Sequence, residues 1–509
     1  MSRLPFVVTL LCLSACGTTV PLGAQDTQLG GQGLTAPSTV TASAGSALSS
    51  TSGPDGGAAG QLAPGTGPAT GPAGAGTASG QPGPATFAQG SGKLTASYRG
   101  VTATTVYVGL ATSSTTGSSG AQIASAYGIS GFTSGPDRPI QDAMVSYINH
   151  HGGINGRHLV AVYSTYSGTD PSSYAQQSEA TCATFTQDNA VFGHIAVVSD
   201  ATFYSCMEKA GTVGVEPTEI GSQQASEAYP GIFSTSDLNY TTAGSVTVQA
   251  LVRSGFLTSK NKIGLLQEDT PDFDLARSQG MNAALKTAGL KFFDIERISR
   301  INSTSDEGTV VQQANSAVLR FHSEGVDRIL FLTTYGGLLD AIFMKDASQQ
   351  HYYPEYGLSS HDAPVALGGG NVPADQLANA QGLGWAPFTD FATVPADQTA
   401  PSEPKCLHIL ESAGVPAPTD RGQVNQDLLY CSSFLLFAKI ATAAGPDLTR
   451  RSFIRAGEAL GDAYDDPLAI RGASEIGPGS HQGITDGELI RYVPSCTCFE
   501  PAGPVVRIR

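Results

Sequence analysis

The sequence is poor in charged residues, in tryptophan and in long hydrophobic runs. Charged side chains make up 14% of its 509 residues, and one tryptophan is present. The formal net charge of -16 leaves phosphate backbones no general attraction, so no nucleic-acid partner is predicted. No run of about 18 apolar residues occurs, so no permanent transmembrane helix is predicted.

The sequence also lacks the short motifs that mark common hydrolases and redox proteins. No G-x-S-x-G, H-E-x-x-H or C-x-x-C is present. His150 and His151 are at a helix end, where they interact with the helix dipole. Asp465 and Asp466 precede Pro467, and we expect both to face solvent. An enzyme is therefore not predicted, and a surface hydrolase remains the enzymatic alternative.

The N-terminus has the three parts of a secretory signal. "MSRLPFVVTLLCLSAC" combines Arg3, an apolar run from Leu4 to Leu13, and small residues before a cysteine. Leu13 to Cys16 resembles the lipobox of bacterial lipoproteins, in which the cysteine is acylated and becomes the mature N-terminus. We therefore predict a signal peptide and lipobox at 1–16, with Cys16 as the lipid anchor. The alternative is an ordinary cleaved signal in which Cys16 is incidental.

Eight cysteines are present, of which Cys12 leaves with the signal and Cys16 carries the lipid. The other six are Cys182, Cys206, Cys406, Cys431, Cys496 and Cys498. An even number in an exported chain predicts three disulfides, and local pairing is the simplest arrangement. Cys182 would then pair with Cys206, whereas the pairing of the last four cysteines stays open. No metal site and no cofactor are predicted.

Residues 17–98 form a tract of Gly, Pro, Ala, Ser and Thr whose charges are Asp26, Asp55 and Lys93. Such a composition cannot bury enough apolar surface to offset the entropy of ordering, so we predict a disordered linker. As a coil it spans roughly 50 Å. Its Ser and Thr content permits O-glycosylation, which the sequence does not settle.

From Val101 onward, short β-branched runs alternate with amphipathic stretches. The strand-like runs are 104–111, 157–163, 190–198, 261–267, 326–334 and 354–360. Helical periodicity follows at 140–148, 275–288 and 310–321. This alternation predicts an α/β fold with parallel sheets covered by helices on both faces. The segment 424–445 is apolar nearly all round and predicts a buried helix ended by Gly445.

The stretch "YINHHGGINGRHLVAVY", 147–163, predicts a helix-to-strand corner. Gly152 and Gly153 can adopt the left-handed conformation that ends a helix, and Asn155-Gly156 supplies a tight turn into the next strand. Helix, "N-x-x-GGINGR" and strand in this order resemble the leucine/isoleucine/valine-binding group of type I periplasmic binding proteins, the receptors of ABC importers.

Three further stretches carry the same resemblance, in the family's order. They are "HIAVVSDATFYSCMEKAGTVGVEP", "KIGLLQEDTPDFDLARSQGMNAALKTAG" and "VDRILFLTTYGGLLDAIFMKDA". The resemblance implies two Rossmann-like lobes joined by a three-crossover hinge, with a ligand in the cleft between them. Lobe 1 would comprise 101–237 and 384–480, and lobe 2 would comprise 238–383 and 481–509. Cys182 and Cys206 are where such proteins often carry a disulfide.

The resemblance also implies ligand-binding residues in lobe 1. The family's ligand loop corresponds to Ser199, Asp200 and Ala201, followed by a second loop from Thr218 to Gly221. Thr112 and Ser113 begin the loop after the first strand, which continues into an unusual Gly/Ser-rich insertion up to Gly135. Asp200 replaces the family's usual small hydroxyl residue. It is either a helix N-cap or a cleft residue that favours an ammonium or a polyol.

In lobe 2 the implied site residues carry alternatives of their own. Phe273 either closes over the ligand or belongs to the core. His361 and Asp362 follow a strand where relatives hold an acid near the ligand amine. Trp385 either packs at a hinge or forms an apolar wall of the cleft.

The function that the resemblance implies is a solute-binding lipoprotein on the extracytoplasmic face of the cell membrane. It would bind a small polar ligand, such as an amino acid or an amide, and deliver it as a monomer to ABC permease subunits. The same fold can instead serve a ligand-sensing lipoprotein that presents its ligand to a membrane receptor. The departures at Asp200 and around Pro271 leave amino acids, amides, small peptides, polyamines and aromatic acids open as ligands.

Overall fold

The computed structural model describes residues 92–113, 136–166, 172–196, 201–218, 221–301, 304–334 and 337–509. The predicted signal peptide, Cys16 and most of the predicted linker lie outside these residues. Ser199 and Asp200 lie outside them as well.

The first sheet is parallel and consists of residues from the first third of the described chain. Its strands are β1 Thr105–Ser113, β2 His158–Tyr166, β3 Gly193–Ile195, β4 Val213–Glu216 and β5 Ile232–Ser234. The order across the sheet is β2-β1-β3-β4-β5. Val106, Val108 and Leu110 of β1 are fully buried, as expected for a central strand with both sheet faces covered.

The second sheet continues the parallel pattern and adds an antiparallel edge. Its strands are β6 Ile263–Glu268, β7 Asp294–Ile298, β8 Arg328–Leu332, β9 Glu355–Ser359, β10 Gln381–Gly384, β11 Asp486–Val493, β12 Cys498–Pro501 and β13 Val506–Arg507. Their order is β12-β11-β10-β9-β8-β6-β7, with β13 beside β11. Strands β6 to β10 are parallel, whereas β11 runs antiparallel to β10 and to β12.

Helices cover both faces of each sheet. The described α-helices are α1 Asp137–His150, α2 Tyr174–Ala183, α3 Ala201–Lys209, α4 Gln223–Ala228, α5 Tyr240–Arg253, α6 Pro271–Leu275, α7 Asn282–Thr287, α8 Glu307–Glu324, α9 Leu338–Gln349, α10 Pro364–Ala366, α11 Ala374–Leu377, α12 Pro387–Asp390, α13 Glu403–Ser412, α14 Arg421–Ala443 and α15 Arg450–Glu458. On the first sheet α1, α14 and α15 share one core, and α2 and α3 share another. On the second sheet α8 and α9 cover one face, and α5, α6 and α7 cover the other.

The chain passes between the two sheets three times. It leaves the first sheet after β5, returns after β10 to place α13, α14 and α15 on the first sheet, and enters the second sheet again at β11. The α/β fold class with two parallel-sheet lobes and three crossovers is therefore confirmed. The exact lobe boundaries at 237/238, 383/384 and 480/481 stay predictions.

The predicted corner between α1 and β2 is confirmed. Helix α1 ends at His150, and Gly152, Gly153, Asn155 and Gly156 all have positive φ. A Cβ on Gly153 would lie 2.0 Å from the carbonyl oxygen of Arg157. Glycine is therefore required there for close approach as well as for its backbone conformation.

The buried helix predicted at 424–445 is α14. Asp420 is its N-cap and accepts a hydrogen bond from the backbone N–H of Gln423 at 3.0 Å. Gly445 follows the helix with φ +82°. Phe434 and Phe437 are fully buried against the first sheet, which explains why the helix is apolar on most sides.

The end of the predicted linker is attached to lobe 1. Ser97 Oγ donates a hydrogen bond to the Leu448 carbonyl at 2.8 Å, and the Tyr98 hydroxyl donates to the Gly211 carbonyl at 3.0 Å. The Tyr98 ring also meets Phe192 edge-on. The linker prediction therefore extends a few residues too far, because an aromatic side chain at its end finds a core to pack on.

Three disulfides follow the local pairing. They join Cys182 to Cys206, Cys406 to Cys431 and Cys496 to Cys498. The first ties α2 to α3, the second ties α13 to α14, and the third closes the turn between β11 and β12. Cys496 and Cys498 also lie near Glu500 in the single group of potential metal ligands among the described residues, but their sulfurs are bonded to each other.

The expectation that Asp465 and Asp466 both face solvent is wrong for Asp466, which is fully buried. Its Oδ1 accepts hydrogen bonds from the hydroxyls of Ser236 and Ser432, each at 3.1 Å. These donors come from a crossover and from α14, far away in the sequence. In the described part of the chain, no helix has the length and hydropathy needed to cross a bilayer.

Candidate functional site

A cavity of about 650 Å³ lies between the two sheets, at the carboxyl ends of their parallel strands. Several lining residues come directly after strands: Pro217 and Thr218 after β4, Ser236 and Asp237 after β5, Arg300 after β7, Thr333 and Thr334 after β8, and Ser360 and His361 after β9. Ligands of open α/β sheets bind at this edge, where loops are free to carry polar groups.

Another part of the wall comes from the chain between the second and third crossovers. Trp385, Phe388, Leu429 and Leu468 provide most of its apolar surface, and Arg421 provides a cation. Trp385 is held in place through its backbone N–H, which donates to Ser360 Oγ at 2.8 Å. The cavity lining therefore includes both aromatic side chains and hydroxyl groups.

Asp237 is the centre of a hydrogen-bonded cluster in the cavity wall. Its Oδ1 accepts from His361 Nε2 at 2.7 Å, from Trp385 Nε1 at 3.2 Å and from the Leu238 backbone N–H at 2.8 Å. The His361 ring lies edge-on to Tyr240 and to Trp385, with centroids 5.2 Å and 5.1 Å apart. One carboxylate oxygen thus fixes two aromatic rings that line the cavity.

Two buried carboxylates lie behind the hydroxyl groups of the cavity lining. Asp340 Oδ1 accepts from Thr333 Oγ1 at 2.8 Å, and Glu268 Oε1 accepts from the backbone N–H and Oγ1 of Thr334, both at 2.6 Å. Burial raises the pKa of Glu268 and raises that of Asp340 well above its usual value. Because the carboxylates accept from the threonines, they orient the hydroxyls that face the cavity.

Asp362 is also buried, and its carboxylate stabilises the turn to which it belongs. Its Oδ2 accepts from the Ser359 backbone N–H at 2.6 Å and from Ser359 Oγ at 3.0 Å. Burial raises the pKa of Asp362, while the Ser359 backbone hydrogen bond opposes that rise. Asp362 therefore fixes the loop that presents His361.

Arg421 is the first residue of α14 and has an unusual environment. Its guanidinium lies over the Phe388 ring, 4.8 Å from the centroid, and Nη2 donates to the Phe391 carbonyl at 3.1 Å. The Nε atom is buried and has no hydrogen-bond partner in the described part of the protein. Burial lowers the pKa of Arg421, and the charge of Glu403 partly opposes this effect.

Arg300 and Tyr174 belong to different lobes and contact each other at the cavity. The Arg300 guanidinium lies 5.9 Å from the centroid of the Tyr174 ring, and both residues line the cavity. Arg300 follows β7 of the second sheet, and Tyr174 begins α2 on the first. The cavity is thus lined by a cation–aromatic contact between the lobes.

Among the residues predicted from the sequence, Thr218, His361 and Trp385 line the cavity. Trp385 is fully buried and packs in the core beside the crossover as well, and its role toward a ligand stays a prediction. Asp362 lies behind the wall, as described above.

Phe273 is in the core, with its ring centroid 4.5 Å from that of Tyr240, which lines the cavity. Thr112 is buried, and its Oγ1 donates a hydrogen bond to the Ser164 carbonyl at 3.3 Å.

The other predicted positions contribute backbone or lie outside the described residues. Gly221, with φ +59°, accepts a hydrogen bond at its carbonyl from the Tyr240 backbone N–H at 2.9 Å. Ala201 begins α3, and Ser113 ends β1. The predicted roles of Ser199 and Asp200 remain predictions.

Sequence reasoning missed Asp237, Tyr174, Arg300 and Arg421. Asp237 meets His361 and Trp385 across 124 and 148 residues of chain, so no local pattern could have identified it. Arg421 directly follows the N-cap of a buried helix, and its position before a long apolar stretch was the single available indication.

Comparison of the architecture with solved structures defines the class of fold. The chain has the fold of type I periplasmic binding proteins, with two parallel-sheet lobes and a cavity between them. No protein-family model matches the chain, and no curated protein is detectably similar in sequence.

Similar structures include several solute-binding proteins. A possible leucine/isoleucine/valine-binding protein from Rhodopirellula baltica SH 1 is 14% identical, with a TM-score of 0.55, over 79% of this chain and 96% of its own. A fatty acid ABC transporter substrate-binding protein from Thermomonospora curvata is 17% identical, with a TM-score of 0.55, over 82% and 96%. An ABC transporter solute-binding protein from R. palustris, in complex with 4-hydroxybenzoate, is 14% identical, with a TM-score of 0.55, over 79% and 97%.

Proposed function

We propose that this protein is the solute-binding component of an ABC importer and captures a small organic ligand in the cavity between its lobes. The observation that carries the proposal is the cavity of about 650 Å³ at the carboxyl ends of both parallel sheets. Its lining residues come from before the first crossover, from between the first and second, and from between the second and third. The structurally similar proteins described as ABC substrate-binding proteins support the same function. No catalytic activity is proposed.

The same proposal includes the location of the protein. The lipobox at Leu13 to Cys16 supports acylation of Cys16 and attachment to the extracytoplasmic face of the membrane. The linker that follows would give the lobes the reach to meet permease subunits as a monomer.

The shape of the cavity bears on the ligand. Its aromatic lining residues and its volume suit a molecule larger than an amino acid with a small side chain. One structurally similar protein is described in complex with isoleucine and another with 4-hydroxybenzoate, so this fold accepts both kinds of ligand. We therefore extend the ligand class from amino acids and amides to organic acids with an apolar body.

Ligand-induced thermal stabilisation tests the proposal. A soluble Cys16→Ser chain is screened against amino acids, amides, organic acids, polyamines and sugars. A ligand at about 100 times its dissociation constant adds about 2.7 kcal/mol of stability, which raises the melting temperature in a concentration-dependent way.

The matched control blocks the cavity. Thr218→Trp should abolish the shift because Thr218 lines the cavity, whereas Thr218→Ser should preserve it. A folded wild-type chain that is stabilised by no member of the screen contradicts the proposed function. A shift that persists in Thr218→Trp places the ligand outside this cavity and contradicts it as well.

A further inference from the structure

Arg421 is a cavity cation with unfilled hydrogen-bonding capacity. A guanidinium carries five N–H donors, and within the described residues Arg421 forms one hydrogen bond, from Nη2 to the Phe391 carbonyl. Its Nε is buried without a partner in the described part of the chain. Nε is too deeply buried to meet a ligand, so an acceptor in the cavity would pair with the terminal NH2 groups of this lining side chain through charge-assisted hydrogen bonds.

The charges around Arg421 leave it available to an anion. Among the described residues no carboxylate forms an ion pair with it, and Glu403 acts on it from a greater distance. Asp420 is exposed and accepts a hydrogen bond from the Gln423 N–H as the helix cap. The first turn of the 23-residue helix α14 adds its positive dipole end on the same side, through Gly422 and Asn425, which also line the cavity.

The surroundings of Arg421 are apolar. Its guanidinium lies over Phe388, and Leu429 of the same helix, Trp385 and Leu468 continue the wall. Charge-assisted hydrogen bonds are stronger where water is excluded, and hydrocarbon groups are favoured against such a wall. A ligand that matches this wall has an anionic head and an apolar body.

The acids of the described cavity wall are already engaged. Asp237 Oδ1 accepts from His361, Trp385 and the Leu238 N–H, while Asp340 and Glu268 accept from the hydroxyls of Thr333 and Thr334. Of these three acids Asp237 lines the cavity, and an ammonium group would have to compete for its Oδ1 with three donors that are already bound. This arrangement favours an acid without an amino group over a zwitterion.

We propose that Arg421 is the anion-binding, specificity-determining residue of the cavity and that its ligand is an apolar monocarboxylate, aromatic or aliphatic. The inference rests on the proposed solute-binding function and assigns the ligand's head group to the start of α14. The apolar body then lies along Phe388, Leu429 and Trp385.

Matched acid and amide probes test this assignment by calorimetry on the Cys16→Ser chain. The probes are benzoate, 4-phenylbutanoate and octanoate, each with its primary amide, together with L-phenylalanine as the zwitterion. In the wild type at least one acid should bind roughly ten- to a hundredfold more tightly than its amide, because the acid forms a charge-assisted hydrogen bond with Arg421.

Three variants separate recognition from structure. Arg421→Gln should lose the preference for acid over amide while retaining affinity for the amide, and Arg421→Lys should keep part of the preference. Arg451→Gln removes an exposed arginine from α15 and should leave all affinities unchanged.

The outcomes distinguish this inference from the function on which it rests. A preference for acid that survives in Arg421→Gln overturns the role of Arg421. Equal loss of acid and amide binding overturns it too, because it indicates a structural defect. A wild type that binds the zwitterion, or other members of the metabolite screen, but none of the acids overturns the ligand class and leaves the solute-binding function standing. A wild type that binds nothing overturns both.

Discussion

Asp466 shows how a single buried carboxylate can set the pH dependence of this protein's stability. It is fully buried, its Oδ1 accepts from Ser236, Ser432 and the Leu468 N–H, and its Oδ2 has no partner in the described structure. Burial raises the pKa of Asp466 to about 6. Because the folded state holds this proton more tightly than the unfolded state, stability falls as the pH rises from about 4 through 6.

We expect Asp466→Asn to stabilise the protein at pH 7.5 and to stabilise it much less at pH 4.5. The amide resembles the protonated acid, so it removes the cost of a buried charge that is present only at the higher pH. With a pKa raised by about two units, the gain at pH 7.5 is up to about 3 kcal/mol. Urea unfolding at both pH values measures it.

The control for this variant is Asp462→Asn, at an exposed position in the same loop. It should leave the unfolding midpoint unchanged at both pH values. Equal destabilisation by Asp466→Asn at pH 4.5 and pH 7.5 would show that hydrogen-bond geometry, rather than charge burial, dominates at this site.

At the scale of elements, the corner between α1 and β2 depends on one close approach. Gly153 has φ +60°, and an added Cβ would meet the Arg157 carbonyl oxygen. Arg157 is itself fully buried, and its guanidinium donates to the carbonyls of Thr102, Thr95 and Pro446. The corner therefore cannot move away from a larger side chain without disturbing these bonds.

We predict that Gly153→Ala destabilises the fold by about 2 to 4 kcal/mol, from left-handed strain plus displacement of backbone. The matched control is Gly445→Ala, which has φ +82° but nothing within 4 Å of the added Cβ. Gly445→Ala should lower the free energy of unfolding by the left-handed strain alone, about 1 to 2 kcal/mol. Equal midpoints in denaturant for the two variants would contradict the close-contact explanation.

The sequence predicted elements with strong local patterns and missed those defined by distant partners. The strand 104–111 and the helix 424–445 appear as β1 and α14, because continuous apolar runs are typical of buried elements. Strand β7, "DIERI", is short and contains three charged residues at the sheet edge, so its pattern resembles a loop. The hairpin of β11 and β12 was not predicted either, since β11 joins the sheet by pairing with β10 across about a hundred residues of chain.

The candidate site was predictable in part for the same reason. Thr218 lies two residues after β4, and His361 lies two residues after β9. A residue at the carboxyl end of a predicted parallel strand is a site candidate from sequence alone. Asp237 lies at the first crossover, and Arg421 lies in α14 after the second crossover. Their role depends on the three-dimensional path of the chain, which local spacing does not encode.

At the scale of the whole molecule, the proposed anchor and the two lobes lie in separate parts of the chain. We predict that Cys16→Ser shifts the protein from the membrane fraction to the soluble fraction when it is expressed in a bacterial host, because no other anchor is predicted. Fractionation followed by carbonate and high-salt washing measures this. Melting temperature and ligand binding should stay unchanged, since the change lies some 80 residues before the lobes. A Cys16→Ser chain that resists both washes would contradict the lipid anchor.

The place of Trp385 has an optical consequence. It is the single tryptophan of the chain, it lines the cavity, and its indole N–H is bound to Asp237 near the first crossover. All indole fluorescence of the protein therefore originates at one point, where the binding cavity and two of the chain crossovers meet. The emission of the unlabelled protein is a local spectroscopic probe of this point, suited to testing in a single rapid-mixing experiment whether a ligand enters the cavity.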